Sequence, residues 1–257
     1  MTALFVSTVV LAIILVWAGT RTVAADRCNA LVAATAILAA IPALLNLAYY
    51  LHVIDAAAWF YRLRAFPFSE LLAAGAGWPV GLLVGRLGKG RIPLRAPLLA
   101  CLVLLLSVPY LKPLIQPLDR SVLVEQRELG VCMQSTASTC GPASAVSVLH
   151  QLGIEATEAE LAQECHTTST GTENWYLVRA LRRRGCRVEV RTDATVDDIQ
   201  PPAIAGVRLA GSGHFIALLE RRPDGMVTGD PLVGRRDEDG AHLAKRRFTG
   251  FVIEVRR

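Results

Sequence analysis

The first twenty residues, MTALFVSTVVLAIILVWAGT, contain no charged side chain, and none occurs in residues 28–54, 71–85 or 96–111 either. Such runs leave a chain little choice. In hydrocarbon every backbone N–H and C=O must find an internal partner, so an apolar run of about 20 residues becomes a helix that crosses the bilayer. The first two runs are long enough unaided. The third reaches spanning length with Glu70 and the Phe66/Phe68 flank, and the fourth does so if Lys112 extends its ammonium to the interface. The expectation is a transmembrane region over residues 1–118 with four helices, at about 3–20, 29–53, 67–86 and 96–116, followed by a soluble domain over 119–257. Pro113 and Pro117 in LKPLIQPLDR end the last apolar helix. The opening run has no basic leader segment before it and further apolar runs after it, so it is expected to remain as an anchor.

Charge divides along the same line. Residues 1–118 hold nine Lys/Arg and three Asp/Glu, while residues 119–257 hold eighteen and nineteen. The basic excess therefore sits in membrane-flanking loops, and the soluble part lacks the basic face that nucleic acid requires. Its one basic run, Arg182-Arg183-Arg184, suits the C-terminal end of a helix. The first and third connections carry Arg21, Arg27, Arg86, Lys89, Arg91 and Arg95; the second carries Arg62 and Arg64. Short basic loops stay in the cytoplasm. The expectation is an integral protein of a bacterial inner membrane or its equivalent, with the N-terminus and the soluble domain extracytoplasmic. If residues 71–85, with Pro79 and several glycines, only dip into the bilayer, three spans remain and the domain moves to the side opposite the N-terminus. The cluster WFYRLRAF, residues 59–66, is expected as an interfacial aromatic belt.

Within 119–257, helices come first and strands after. CGPASAVSVLHQLG offers Ala145, Val146, Val148 and Leu149 to a core and stops at Gly153. ATEAELAQEC opens with Thr157 and Glu160 at capping-box spacing. GTENWYLVRALRRRG places Trp175, Leu177, Val178 and Leu181 at helical spacing and stops at Gly185. CRVEVR, AIAGVRL, HFIALLE, MVTGD and RFTGFVIEVR read as strands, with RPDG as a hairpin turn between the third and fourth. This order makes an α+β domain with an antiparallel sheet.

The stretch VCMQSTASTCGPASAVSVLH, residues 131–150, holds the chemistry. Thiolate is the reactive form of cysteine, and a helix N-terminus or a nearby imidazolium favours it. Cys140 opens a helix, with Gly141 permitting a tight entry and Pro142 fitting the first turn. A buried structural cysteine fits the same residues. Three others bear on the choice. Gln134, if not a plain loop residue, supplies with the Cys140 backbone N–H a pair of donors for an oxyanion. His214, in GSGHFIALLE, stands at the mouth of an apolar strand, either as a general base or as a core-edge histidine bonded to backbone. Its competitors are worse placed. His150 lies about 15 Å along the helix, His52 is in a membrane run, and His166 and His242 have no evident orienting partner. Asp230 ends a strand between Gly229 and Pro231. If Glu220 pairs with Met226 across the turn, Ile216 faces Asp230, and His214 stands diagonal to it on the same face. A one-residue slip would separate them.

QSTASTCGPAS, GHFIALL and GDPLVG, in that order within roughly residues 130–257, resemble the papain-like cysteine peptidase domains of bacteriocin processing. Those domains cleave leader peptides, often after a double glycine, and are commonly fused to export ATPases. The resemblance implies an α+β, papain-like peptidase domain following the transmembrane helices, with Cys140 as nucleophile, His214 as base, Asp230 as its orienter and Gln134 as oxyanion donor. It implies a peptide or protein substrate. No Gly-x4-Gly-Lys-Ser/Thr loop occurs, GRLGKGR included, and the apolar runs precede the peptidase-like part. Export is therefore expected to need a separate partner. The reading is a membrane-tethered cysteine peptidase whose partners are the lipid bilayer and a peptide, not nucleic acid. Two other readings stay open: a non-catalytic papain-like module that binds a peptide and signals through the helices, and an acyl or amide transferase that passes the same acyl-enzyme to an acceptor other than water. No Cys-x2-Cys or His-x3-His pair occurs, so neither metal nor cofactor is expected. In an oxidising space Cys165 would pair with Cys186.

Overall fold

Every uncharged run becomes helical, but not every run becomes one straight helix. The computed structural model describes residues 2–51, 53–54, 57–87, 92–209, 211–239 and 248–257. Its contacts separate two units, Met1–Asp55 with Pro67–Leu114 and Ala56–Phe66 with Ile115–Arg257. His52, His242, Lys89 and Arg91 lie outside the described residues.

In the first unit, α1 (Thr2–Ala24) and α2 (Ala30–Tyr50) are each long and apolar enough to cross a membrane. Asn29 caps α2 by accepting from the Val32 N–H at 3.0 Å. The third run is split into a 3-10 stretch, Ser69–Ala76, and α4 (Gly77–Arg86). Ten residues of α-helix rise about 15 Å, half a hydrocarbon core. Next comes α5 (Ile92–Ile115). The split run packs by backbone contact. A Cβ on Gly77 would lie 2.4 Å from Ala12 O, one on Gly81 2.3 Å from Val16 O, and one on Gly85 2.9 Å from Val23 Cβ. These glycines recur every fourth residue, the small-residue spacing that lets apolar helices touch without side chains between them. One buried polar contact joins α1 to α5, Thr8 Oγ1 to Tyr110 OH at 3.0 Å.

Among the described residues, the second unit holds a two-stranded sheet, β1 (Gln126–Glu128) with β2 (Val131–Met133), and a six-stranded antiparallel sheet. The larger sheet consists of β3 (Arg187–Arg191), β4 (Ala203–Leu209), β5 (Ser212–Arg222), β6 (Gly225–Asp230), β7 (Gly234–Asp239) and β8 (Phe248–Arg256), in the order β3-β8-β4-β5-β6-β7. Three helices of residues 115–257 precede it: α6 (Cys140–Gln151), α7 (Glu158–Glu164) and α8 (Asn174–Arg183). The domain is α+β. The stops at Gly153 and Gly185 fall where expected, with φ of 70° and 81° that favour glycine. The Thr157/Glu160 capping box is formed.

Residues 59–66 depart from the expected belt. They form α3 (Ala58–Arg64), which packs into the second unit. Phe60 and Tyr61 are buried, the first edge-on to Trp175 at 6.1 Å and the second edge-on to Phe251 at 5.5 Å. Arg62 donates to Val190 O at 2.8 Å, and Arg179 donates to Arg64 O at 2.6 Å. Only Trp59 and Phe66 of the aromatic residues remain exposed. The reason is geometric: the adjacent rings of Phe60 and Tyr61 meet Trp175 and Phe251, which accept the buried pair edge-on, while Trp59 and Phe66 stay outside.

Candidate active site

Three segments converge on Cys140. The first is α6, which Cys140 opens, so that its backbone N–H belongs to a first turn without intrahelical acceptors. The first ten residues of α6 are all buried, far more than its apolar stripe. Two serines make this possible. Ser144 Oγ donates to Phe215 O at 3.0 Å, and Ser147 Oγ accepts from the Cys132 N–H at 2.9 Å. They pin the helix to β5 beside His214 and to β2 just before Gln134. Gly141 allows this proximity, since a Cβ there would lie 3.2 Å from Leu177 Cδ1 and 3.4 Å from Phe215 Cδ2.

The second segment is the β5–β6 hairpin. Its turn is one residue tighter than expected: Arg222 pairs with Gly225 and Arg221 with Met226, in place of Glu220 with Met226. A bulge between Leu218 and Glu220 then returns the strands to the anticipated pairing, with Ala217 opposite Gly229. Asp230 and His214 therefore meet. His214 Nε2 lies 2.9 Å from Asp230 Oδ1, with both residues buried. The same oxygen accepts from the Leu232 N–H at 2.9 Å. Nε2 is engaged by Asp230, and the Cys140 thiol at the head of α6 stands close enough to act on the ring's proton affinity. Burial alone would lower the His214 pKa. Its hydrogen bonds to Asp230 and Cys140, and the charges of those groups, outweigh burial and raise it from 6.5 to about 9.

The third segment is the loop 134–139. The Gln134 N–H donates to Pro231 O at 3.0 Å, tying the loop to the turn after Asp230. Gly229 permits that approach, since a Cβ there would sit 2.9 Å from Val131 Cγ2. Gln134 Nε2 donates to Thr136 O at 2.7 Å, while Oε1 is buried with no hydrogen-bond partner. The amide nitrogen carries two hydrogens, and one is left for a ligand.

Burial, aided by the charges of Glu158 and Glu125, pushes the Cys132 thiol up to about 12, and full burial pushes Cys165 up further. Both are neutral thiols. All six cysteines are free, so the pairing of Cys165 with Cys186 is not formed; both are buried, Cys165 just after α7 and Cys186 just before β3. His150 is exposed, and His166 stands edge-on to Tyr176 at 5.0 Å. Among the described residues, no group of three His, Cys, Asp or Glu is placed to hold a metal ion.

Comparison with known proteins gives the family. Residues 128–257 match the Peptidase C39 family. An uncharacterized protein of Methanothermobacter thermautotrophicus is 31% identical over 144 residues, 53% of this chain and 96% of that protein. One from Methanothermobacter marburgensis is 32% identical over 132 residues, 49% and 88% respectively. Among solved structures, the peptidase domain of Streptococcus ComA, a bifunctional ABC transporter of a quorum sensing pathway, is similar at 22% identity and a TM-score of 0.43, over 52% of this chain and 96% of that one. A double glycine motif protease from an AMS/PCAT transporter, in complex with the leader peptide, is similar at 20% identity and a TM-score of 0.43, over 55% and 96%. The family match takes in α6, the β5–β6 hairpin and the loop between β2 and α6, half of the chain and all three segments that meet at Cys140: this protein belongs to the Peptidase C39 family.

Proposed function

We propose that the protein is a membrane-tethered cysteine peptidase that cleaves a peptide or precursor chain, with Cys140 as nucleophile. The observation that carries this reading is the buried His214, held by Asp230 at 2.9 Å beside the Cys140 thiol that opens α6. The ring holds its proton to about pH 9, and a neighbouring imidazolium favours the reactive thiolate form of a cysteine. The thiolate attacks the scissile carbonyl carbon. The oxyanion receives hydrogen bonds from the Cys140 backbone N–H and the second Gln134 amide hydrogen. The imidazolium then protonates the leaving amine, and the neutral imidazole takes a proton from the water that hydrolyses the thioester. Asp230 keeps the ring in place and favours its charged form. α1 and α2 anchor the chain in the bilayer.

A leader-bearing precursor is the substrate class that the family suggests, so a peptide with a Gly-Gly step before the scissile bond is the first to try. In the full-length protein in detergent, Cys140→Ala is expected to abolish cleavage while the fold is kept, and His214→Ala to be comparably severe. Wild-type turnover by the Cys140→Ala protein would remove the peptidase reading.

A further inference from the structure

Glu158 is buried to 1% exposure, yet it takes no part in the capping box at the start of α7, which Thr157 and Glu160 complete between them. A buried carboxylate is costly unless donors surround it. Both of its oxygens are engaged by one residue of the loop between β2 and α6. The Ser135 N–H donates to Glu158 Oε1 at 2.9 Å, and the Ser135 hydroxyl donates to Oε2. That hydroxyl also accepts from the Val124 N–H at 3.1 Å. Ser135 directly follows Gln134, whose own N–H is held by Pro231 O and whose Nε2 is held by Thr136 O. Thr139 closes the remainder of the loop, accepting from the Thr136 N–H and donating to Thr136 O, each at 3.1 Å. The Gln134 amide itself is held by Pro231 and Thr136, and its neighbour Ser135 is held from outside the loop by Val124 and by both oxygens of Glu158, which reaches in from another helix.

We propose that Glu158 is a positioning residue for the oxyanion side of the site: it grips Ser135 at two points and so fixes the direction in which the Gln134 amide presents its free hydrogen. The inference rests on the reading of Gln134 as an oxyanion donor.

Two reactions of the same sulfur separate the roles. Acylation of Cys140 by p-nitrophenyl acetate forms a C–S bond and expels p-nitrophenolate through a tetrahedral oxyanion. Alkylation by iodoacetamide forms a C–S bond and expels iodide, with no carbonyl addition. Both are measured on the full-length protein in detergent, with the Cys140→Ala protein subtracting reaction at other thiols. Glu158→Ala is expected to slow acylation roughly ten- to a hundred-fold and leave alkylation within about two-fold. Glu158→Gln, which keeps one acceptor for the Ser135 N–H, should recover much of the loss. Adding Glu158→Ala to Gln134→Ala should cost little more, because residues that act through one group are not additive. Effects that multiply in the double variant, or equal losses in acylation and alkylation, would overturn the role of Glu158. If Gln134→Ala acylates at the wild-type rate, the oxyanion reading itself is wrong. Should Glu158→Ala fail to fold, the Glu158→Gln and Gln134→Ala pair gives the same cycle.

Discussion

His214 takes its charge state from two neighbours at once, and this can be read out by removing either. Asp230 contributes a hydrogen bond and a charge that favour the imidazolium. Asp230→Asn keeps a polar group there and removes the charge, so the ring should lose its proton at lower pH, shifted from about 9 toward the ordinary 6.5. The alkaline limb of kcat/KM against pH should move down accordingly, with a smaller loss of activity than in His214→Ala. The same raised pKa has a stability sign. The folded state holds the proton more tightly than the unfolded chain, so this contribution is whole below about 6.5 and is lost as pH rises through about 9. Gln134, Cys140, His214 and Asp230 are legible in the sequence because each is a reactive or polar residue set at the edge of an apolar run. Ser144, Ser147 and Glu158 are not. A serine within a helix or a glutamate in its first turn reads as surface, and only the packing of α6 against β5 and of α7 against the loop turns them inward.

At the scale of elements, the helices and most strands follow from periodicity and stop signals, while register depends on something periodicity does not contain. The hairpin turn is shorter by one residue than the pattern suggests, and the bulge near Leu219 compensates, so His214 and Asp230 meet by two departures that cancel. β7, with the sequence GRRDED, is hidden for another reason. It is an edge strand, and its charges, which guard a sheet edge, erase the apolar alternation that marks a strand. The glycine row of α4 is legible as spacing, but its partner is not. Gly81→Val would drive a side chain into the backbone of α1, where a Cβ is already 2.3 Å from Val16 O. It should lower the thermal aggregation temperature of the detergent-solubilised protein by several degrees; an unchanged temperature would mean that the close approach is dispensable. Phe60 offers a cleaner measurement. It is buried edge-on against Trp175, so Phe60→Ala should destabilise the second unit by about 3 kcal/mol, read by pulse proteolysis in detergent.

At the scale of the whole molecule, loop charges favour an extracytoplasmic peptidase domain. Alkaline phosphatase fused at the C-terminus should then be active, and fused after Gly90 it should be silent. The reverse pattern would put the peptidase in the cytoplasm, beside newly made precursors. Whichever face is correct, α3 imposes a rule of parity. Residues 57–66 and 115–257 fold as one unit, and a unit outside the hydrocarbon occupies one face of a bilayer. The chain that leaves this unit after Phe66 must come back to the same face by Ile115, so it crosses an even number of times: twice, or not at all. On this reading a three-crossing path is not expected, whatever the apolarity of residues 67–86 allows. If α1 and α2 each cross once, the N-terminus is expected on that face too. Impermeant maleimide should therefore label a cysteine placed at Trp59 and one placed at Arg257 from the same side, and one placed at Asp26 from the other.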